Sequence, residues 1–244
     1  MKSQENVIEE ELPIVPTGIK GLDEIIGGFI KGRTYLVAGE TGTGKTIFSL
    51  NYLIYGAMIN EPGVYILVDE DVNDLMRGAK AFGWDLNHLI NSGKLSIMTL
   101  LPEFTERFKD RPLDVTVKSI IRDISYEVKR IRAQRLVIDP IAPLITGERD
   151  IAWTREYIRS LIISIERNIG TTTVITSEIP TNSNSLSRFG VEEFLATGVI
   201  VLGLKRVNKE FKRTLFIRKM RWRPVHPQEF EFEIVPGLGI VVKH

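Results

Sequence analysis

The 244-residue chain contains no cysteine, which excludes disulfides and thiolate metal sites and fits a reducing compartment. It also lacks an excess of either charge. Its 32 Lys and Arg stand against 31 Asp and Glu, a formal net charge of +1, too little for a global field that gathers polyanions. No apolar run approaches the ~20 residues that cross a bilayer. The N-terminal Met1-Lys2-Ser3-Gln4-Glu5 leads into acidic Glu9-Glu10-Glu11 without the apolar stretch of a signal peptide. Internal repeats, low-complexity tracts and linkers are missing as well. The expectation is a soluble cytoplasmic protein with no membrane partner. A frayed acidic tail over 1–11 would precede a single domain over 12–244.

Against these absences stands one dense stretch. Thr34-Tyr35-Leu36-Val37-Ala38 is apolar and β-prone and reads as a buried strand. It runs into Gly39-Glu40-Thr41-Gly42-Thr43-Gly44-Lys45-Thr46, a full match to G-x-x-x-x-G-K-[ST]. From Ile47 to Tyr55 there is no Gly or Pro, and apolar residues lie nearly all round, as in a buried helix. Gly42 and Gly44 let the backbone curl so that successive N–H groups converge on one anion, and the helix N-terminus adds partial positive charge. A nucleotide's phosphates are therefore expected on Thr41, Gly42, Thr43, Gly44, Lys45, Thr46 and Ile47. Lys45 would meet the β- and γ-phosphates, and the Thr46 hydroxyl would meet Mg2+. A turn that only joins two elements would not need all these anchors.

Residues 64–68, 95–98, 135–139, 171–176 and 199–204 read as further strands, and 19–26, 72–82, 114–133 and 153–168 as helices. Within 114–133, Val117, Ile120, Ile121, Ile124, Val128 and Ile131 form one stripe at three- to four-residue spacing, the mark of a helix lying on a sheet. Beyond Lys205 the pattern alternates around 213–219, 229–235 and 239–243, with turns at Pro224, Pro227 and Pro236-Gly237, which predicts antiparallel hairpins. The expected fold is α/β, a mostly parallel central sheet flanked by helices with hairpins at its edge.

Cleaving a phosphoanhydride needs Mg2+, an oriented water and positive charge on the developing γ-phosphate besides the cradle. Asp139 closes the apolar strand Arg135-Leu136-Val137-Ile138, as an acid that holds Mg2+ through water would; an acid after a buried strand is common and also fits a helix N-cap or a loop, and the glycine loop is what gives it weight. Asp69 and Glu70 close another strand at the carboxyl edge, where open α/β sheets bind ligands. Glu70 is expected as general base with Asp69 in support, against the alternative that the run 69–71 only caps the next helix. Glu178, at a third strand end, is a candidate γ-phosphate sensor or Mg2+ neighbour, or a loop acid. Residues 205–223 carry nine basic side chains against one acid, Glu210. They read as a solvated hairpin, a nucleic-acid patch, or a basic edge that meets a neighbouring subunit's nucleotide.

The chain resembles the KaiC group of RecA-type ATPases. The likeness is carried by Thr17-Gly18-Ile19-Lys20-Gly21-Leu22-Asp23 with Gly27-Gly28, the loop Gly39 to Thr46, and the adjacent acids Asp69-Glu70. Ala81-Phe82-Gly83-Trp84-Asp85-Leu86 with Gly93-Lys94-Leu95, then Glu192-Glu193-Phe194, and Lys219-Met220-Arg221 with His226 complete it. The resemblance implies a RecA-like fold, slow ATP hydrolysis in a regulatory or signalling role, and a homohexameric ring with ATP between subunits. By it, Lys219 and Arg221 would reach the neighbour's γ-phosphate, and Met220 and His226 its base and ribose. One copy of the pattern is present, as in a stand-alone KaiC-like protein rather than the duplicated clock protein.

Two departures stand out. Glu193-Phe194 replaces the adjacent Ser-Thr of the family's autophosphorylating half, so autokinase activity is not expected there. Trp222-Arg223-Pro224 replaces a small, Gly-containing segment. Other functions share this core. A DNA-handling motor or recombinase would use residues 181–193 as a pore loop with Arg188 toward a phosphate backbone, although aromatics are not interleaved with the basic run as stacking on single strands wants. A ring that ATP merely assembles, as a scaffold for a protein partner, would show negligible turnover.

Overall fold

The computed structural model describes residues 12–68, 70–100, 111–144, 150–181, 183 and 185–243; the tail expected over 1–11 lies outside them. In chain order come β1 (Ile14–Val15), α1 (Leu22–Ile26), β2 (Phe29–Ile30), β3 (Thr34–Gly39), α2 (Lys45–Met58), β4 (Gly63–Val68), α3 (Val72–Ala81), α4 (Leu86–Asn91) and β5 (Leu95–Leu100). Then follow α5 (Leu113–Ile131), β6 (Arg135–Asp139), α6 (Ile151–Ser164), β7 (Thr172–Glu178), α7 (Glu192–Leu195), β8 (Gly198–Val207), β9 (Glu210–Met220), β10 (Gln228–Val235) and β11 (Gly239–Val242).

One nine-stranded sheet runs in the order β11-β10-β9-β8-β3-β7-β6-β4-β5. Neighbours from β8 across to β5 are parallel, whereas β8, β9, β10 and β11 pair antiparallel in sequence. This is the expected α/β architecture with C-terminal hairpins. The chain leaves β3, passes over β7 and β6, and returns as β4, which opens a crevice at the carboxyl ends of these strands.

Alternation along each strand then sorts the side chains. Tyr35, Val37, Tyr65, Leu67, Val137 and Val174 join the core with Phe48 and Leu50 of α2. Leu36, Val64, Ile66, Leu136, Ile138 and Ile175 join the core under α5 and α6. Asp139, two residues beyond Val137, and Thr176, two beyond Val174, therefore fall on the α2 side, where the glycine loop delivers Thr46. The fully buried Arg135 locks that layer. It donates to the Glu61 carboxylate at 2.6 and 2.9 Å and to the Tyr52 carbonyl at 2.9 Å, so the cation that opens β6 is paired rather than stranded.

Several element ends differ from the sequence reading. The helix expected from 19 starts only at Leu22, because Gly21 adopts φ 84°. Asp23 ties the preceding turn instead, accepting the N–H groups of Thr17 (2.8 Å) and Gly18 (2.9 Å). The helix expected over 153–168 closes in a π turn, Ile165–Ile169, from which Glu166 accepts the Thr34 N–H at 2.9 Å and fixes the start of β3.

Candidate functional site

Gly42 and Gly44 sit at φ 80° and 109°, where a side chain is strained; a Cβ at Gly44 would also lie 2.9 Å from the Ile234 side chain. The loop wraps a cavity of about 330 Å3 lined by Thr41, Gly42, Gly44, Lys45, Thr46 and Ile47 together with Glu70, Asp139, Pro140, Glu178 and Ile234. Of residues 41–47 only Thr43 is missing from this wall, because its buried hydroxyl turns back to donate to the Glu40 carbonyl at 2.8 Å. Lys45 Nζ donates to the carbonyls of Gly39 (2.9 Å) and Glu40 (3.0 Å). Burial lowers its pKa, and the charges of Glu178, Asp139 and Glu70 oppose that shift.

The Thr46 hydroxyl donates to Asp139 Oδ2 at 3.1 Å. The hydroxyls of Tyr65 and Thr176 donate to the same carboxylate, which is how a buried carboxylate is made tolerable. Three hydroxyls converging on Asp139 favour the ligand-holding reading over a helix cap. Burial, then the charge of Asp139, pushes the Tyr65 pKa well up, so this phenol remains a donor. Neither Tyr65 nor Thr176 was expected from the sequence. Residue parity puts both on the right face, but only the register between β4, β6 and β7 brings them to Asp139.

The acidic run at the end of β4 divides its tasks. Asp71 caps α3 by accepting the Asn73 N–H at 2.6 Å, whereas Glu70 lines the cavity. Asp69 lies outside the described residues. Among the described residues no group of three or more His, Cys, Asp or Glu could cage a metal. The Thr46 and Asp139 oxygens beside a phosphate cradle suit Mg2+, which keeps water and phosphate as its remaining ligands.

Lys219 and Arg221 lie elsewhere. Lys219 Nζ donates to the Glu193 carbonyl at 2.7 Å, and Arg221 to the Phe194 carbonyl at 3.0 Å. They border a separate groove with Leu186, Phe194 and Val199, and this groove shares no residue with the phosphate cavity. Met220, between them, alternates inward and is 9% exposed in the core, so its side chain is unavailable to a neighbour's base. His226 is exposed on the loop before β10. Elsewhere in the basic run two lysines pair across strands, Lys205 with Glu229 and Lys212 with Glu231. Those two pairs join the hairpin strands β8–β10, whose antiparallel register bears out the expected hairpins.

A family model described as "ATPase: KaiC" matches residues 15–244. The circadian clock oscillator protein KaiC of a Prochlorococcus marinus strain is 36% identical over 220 residues, 89% of this chain and 43% of that protein. Its counterpart in Synechococcus elongatus is 34% identical over 227 residues, 92% of this chain and 43% of that protein. The chain thus spans less than half the length of the clock proteins it matches. The crystal structure of a KaiC-like protein from the hyperthermophilic archaeon Pyrococcus horikoshii superposes with a TM-score of 0.82 at 39% identity, covering 96% of this chain and 100% of that one. Since the match begins within β1 and takes in every later element, glycine loop, strand-end acids and hairpins alike, this chain belongs to the KaiC family of ATPases.

Proposed function

We propose that the chain binds ATP with Mg2+ in the cavity at the carboxyl edge and hydrolyses it slowly between subunits of a homohexameric ring, in a regulatory role. The observation that carries this reading is the gathering of Lys45, the Thr46–Asp139 pair, Glu70 and Glu178 around one cavity. The loop amides and Lys45 would hold the phosphates. Thr46 and Asp139 would hold Mg2+, which when bound offsets charge on the β- and γ-oxygens. Glu70, supported by Asp69, would take a proton from the attacking water as the bond to ADP breaks, with Glu178 beside the γ-phosphate.

The family resemblance supports a role for Lys219 and Arg221 on the neighbour's γ-phosphate. Their separation from their own cavity is what such a role requires, because a cation that completes only the next subunit's site makes turnover depend on assembly. The buried Met220 would then offer a base only its main chain, and the exposed His226 is free to meet a ribose. Glu193-Phe194 presents no hydroxyl, so no autophosphorylation is proposed there.

Phosphate release measured alongside light scattering tests the reading. Lys45→Ala should lower turnover by on the order of 100-fold or more, as loss of a phosphate-stabilising donor does. Unchanged release in that variant would sink the assignment. Rings that form with Mg-ATP but release no phosphate would replace the ATPase with a scaffold.

A further inference from the structure

The sequence allows Arg188 to face a polynucleotide, but the fold brings it to the far side of the phosphate cavity. A second cavity, of about 440 Å3, is lined by Val68, Glu70, Pro140, Glu178, Arg188 and Phe189, with Ala142 and Pro143. It shares Glu70, Pro140 and Glu178 with the first cavity. These three residues form a threshold, with Lys45 bordering one side and Arg188 the other.

The backbone at Arg188 is pinned to the strand that carries Glu178. Its N–H donates to Ser177 Oγ at 2.9 Å, and Ser177 Oγ donates to the fully buried Glu192 at 2.9 Å. The preceding Ser187 donates to the same Glu192 carboxylate at 2.7 Å. A loop serving only as a solvated connection would not need two buried serines on one buried acid. The tether sets the Arg188 backbone at the edge of a cavity that Arg188 lines and whose shared wall carries two carboxylates, Glu70 and Glu178. Arg is the side chain whose rigid fork matches phosphate oxygens.

We propose that Arg188 is a further catalytic residue acting within its own subunit, holding the γ-phosphoryl group from the side opposite Lys45. The inference rests on the Mg-ATP reading above. When water attacks phosphorus, the phosphorus–oxygen bond to ADP breaks and the water proton passes to Glu70. Arg188 transfers no proton; it stabilises the charge on the equatorial oxygens throughout. It differs from Lys219 and Arg221 in needing no neighbour.

The test is equilibrium binding of ADP and of a slowly hydrolysed ATP analogue, with Mg2+, to wild type, Arg188→Ala, Arg188→Lys and Lys45→Ala, together with turnover. Arg188→Ala should keep its ADP affinity, lose about tenfold for the ATP analogue, the worth of one charge-assisted hydrogen bond, and lose on the order of 100-fold in kcat. Arg188→Lys should recover part of both. Lys45→Ala should weaken both nucleotides. An ATP-to-ADP affinity ratio unmoved by Arg188→Ala, with Lys45→Ala still damaging, would overturn this inference alone. The same unmoved ratio accompanied by loss of salt-dependent single-strand DNA binding would return Arg188 to the pore-loop reading. Nucleotide binding indifferent to Lys45 would remove the proposed function, and this inference with it.

Discussion

Lys219 has an unusual charge balance. Desolvation, then the charge of Arg221, lowers its pKa from 10.5 to about 8 against the pull of Glu193. Below about 8 the folded and unfolded chains both hold the proton and the penalty for the half-buried ammonium is fully present. Between about 8 and 10.5 only the unfolded chain holds it, so this group's contribution to stability rises with pH across that window. Function should run the other way. With Lys219 serving a neighbour's phosphate, kcat/KM should fall above about pH 8, since that parameter reports groups of the unliganded enzyme. Lys219→Arg, which keeps its charge there, should abolish the alkaline limb. An identical limb in both proteins would detach Lys219 from the reaction. At this scale the sequence was readable where chemistry is local. Lys45 and Thr46 are fixed by neighbours in the chain, and Asp139 by the strand it ends. Tyr65 and Thr176 were not legible, because their contacts with Asp139 cross between strands. Met220 shows the opposite case: a motif residue whose side chain is claimed by strand alternation for the core.

Elements were legible wherever the period was sustained. The apolar stripe of α5 and the continuous runs of β3, β4 and β6 each announce an element, and the packing honours them. Ends depended on single torsions and inserted turns that no periodicity reports, such as Gly21 before α1 and the π turn after α6. The segment between β9 and β10 carries the clearest strain. Trp222 occupies φ 62° and is 78% exposed, while Arg223 donates to the Ile26 carbonyl at 3.1 Å and holds the segment in place. A bulky residue in the left-handed region costs about 1 kcal/mol, and exposure offers the indole little burial in return. Trp222→Gly should therefore stabilise the isolated chain by up to about 1 kcal/mol in urea unfolding. A clear loss of stability would mean that the indole is anchored by packing that outweighs the strain.

At the scale of the whole molecule, the order of strands decides what one chain can do alone. β3, β6 and β7 lie together and supply the phosphate cavity, whereas β9 stands two strands from β3 on the far side of β8 and presents Lys219 over α7. The sequence named both sets but could not tell that they face different cavities, because neighbour order in a sheet is a long-range property. Under the ring proposal each interface takes its loop from one subunit and its cations from the next, and this predicts complementation. Lys45→Ala and Arg221→Ala should each be nearly inactive alone. In mixed rings, an Arg221→Ala subunit supplies an intact cavity and a Lys45→Ala subunit supplies an intact Arg221. Random mixing at equal amounts makes about a quarter of the head-to-tail interfaces of this kind, with a corresponding share of wild-type phosphate release. Activity that stays at the level of the separate variants, with mixed rings verified by mass, would place Lys219 and Arg221 outside the neighbour's site and leave each subunit to hydrolyse with its own residues.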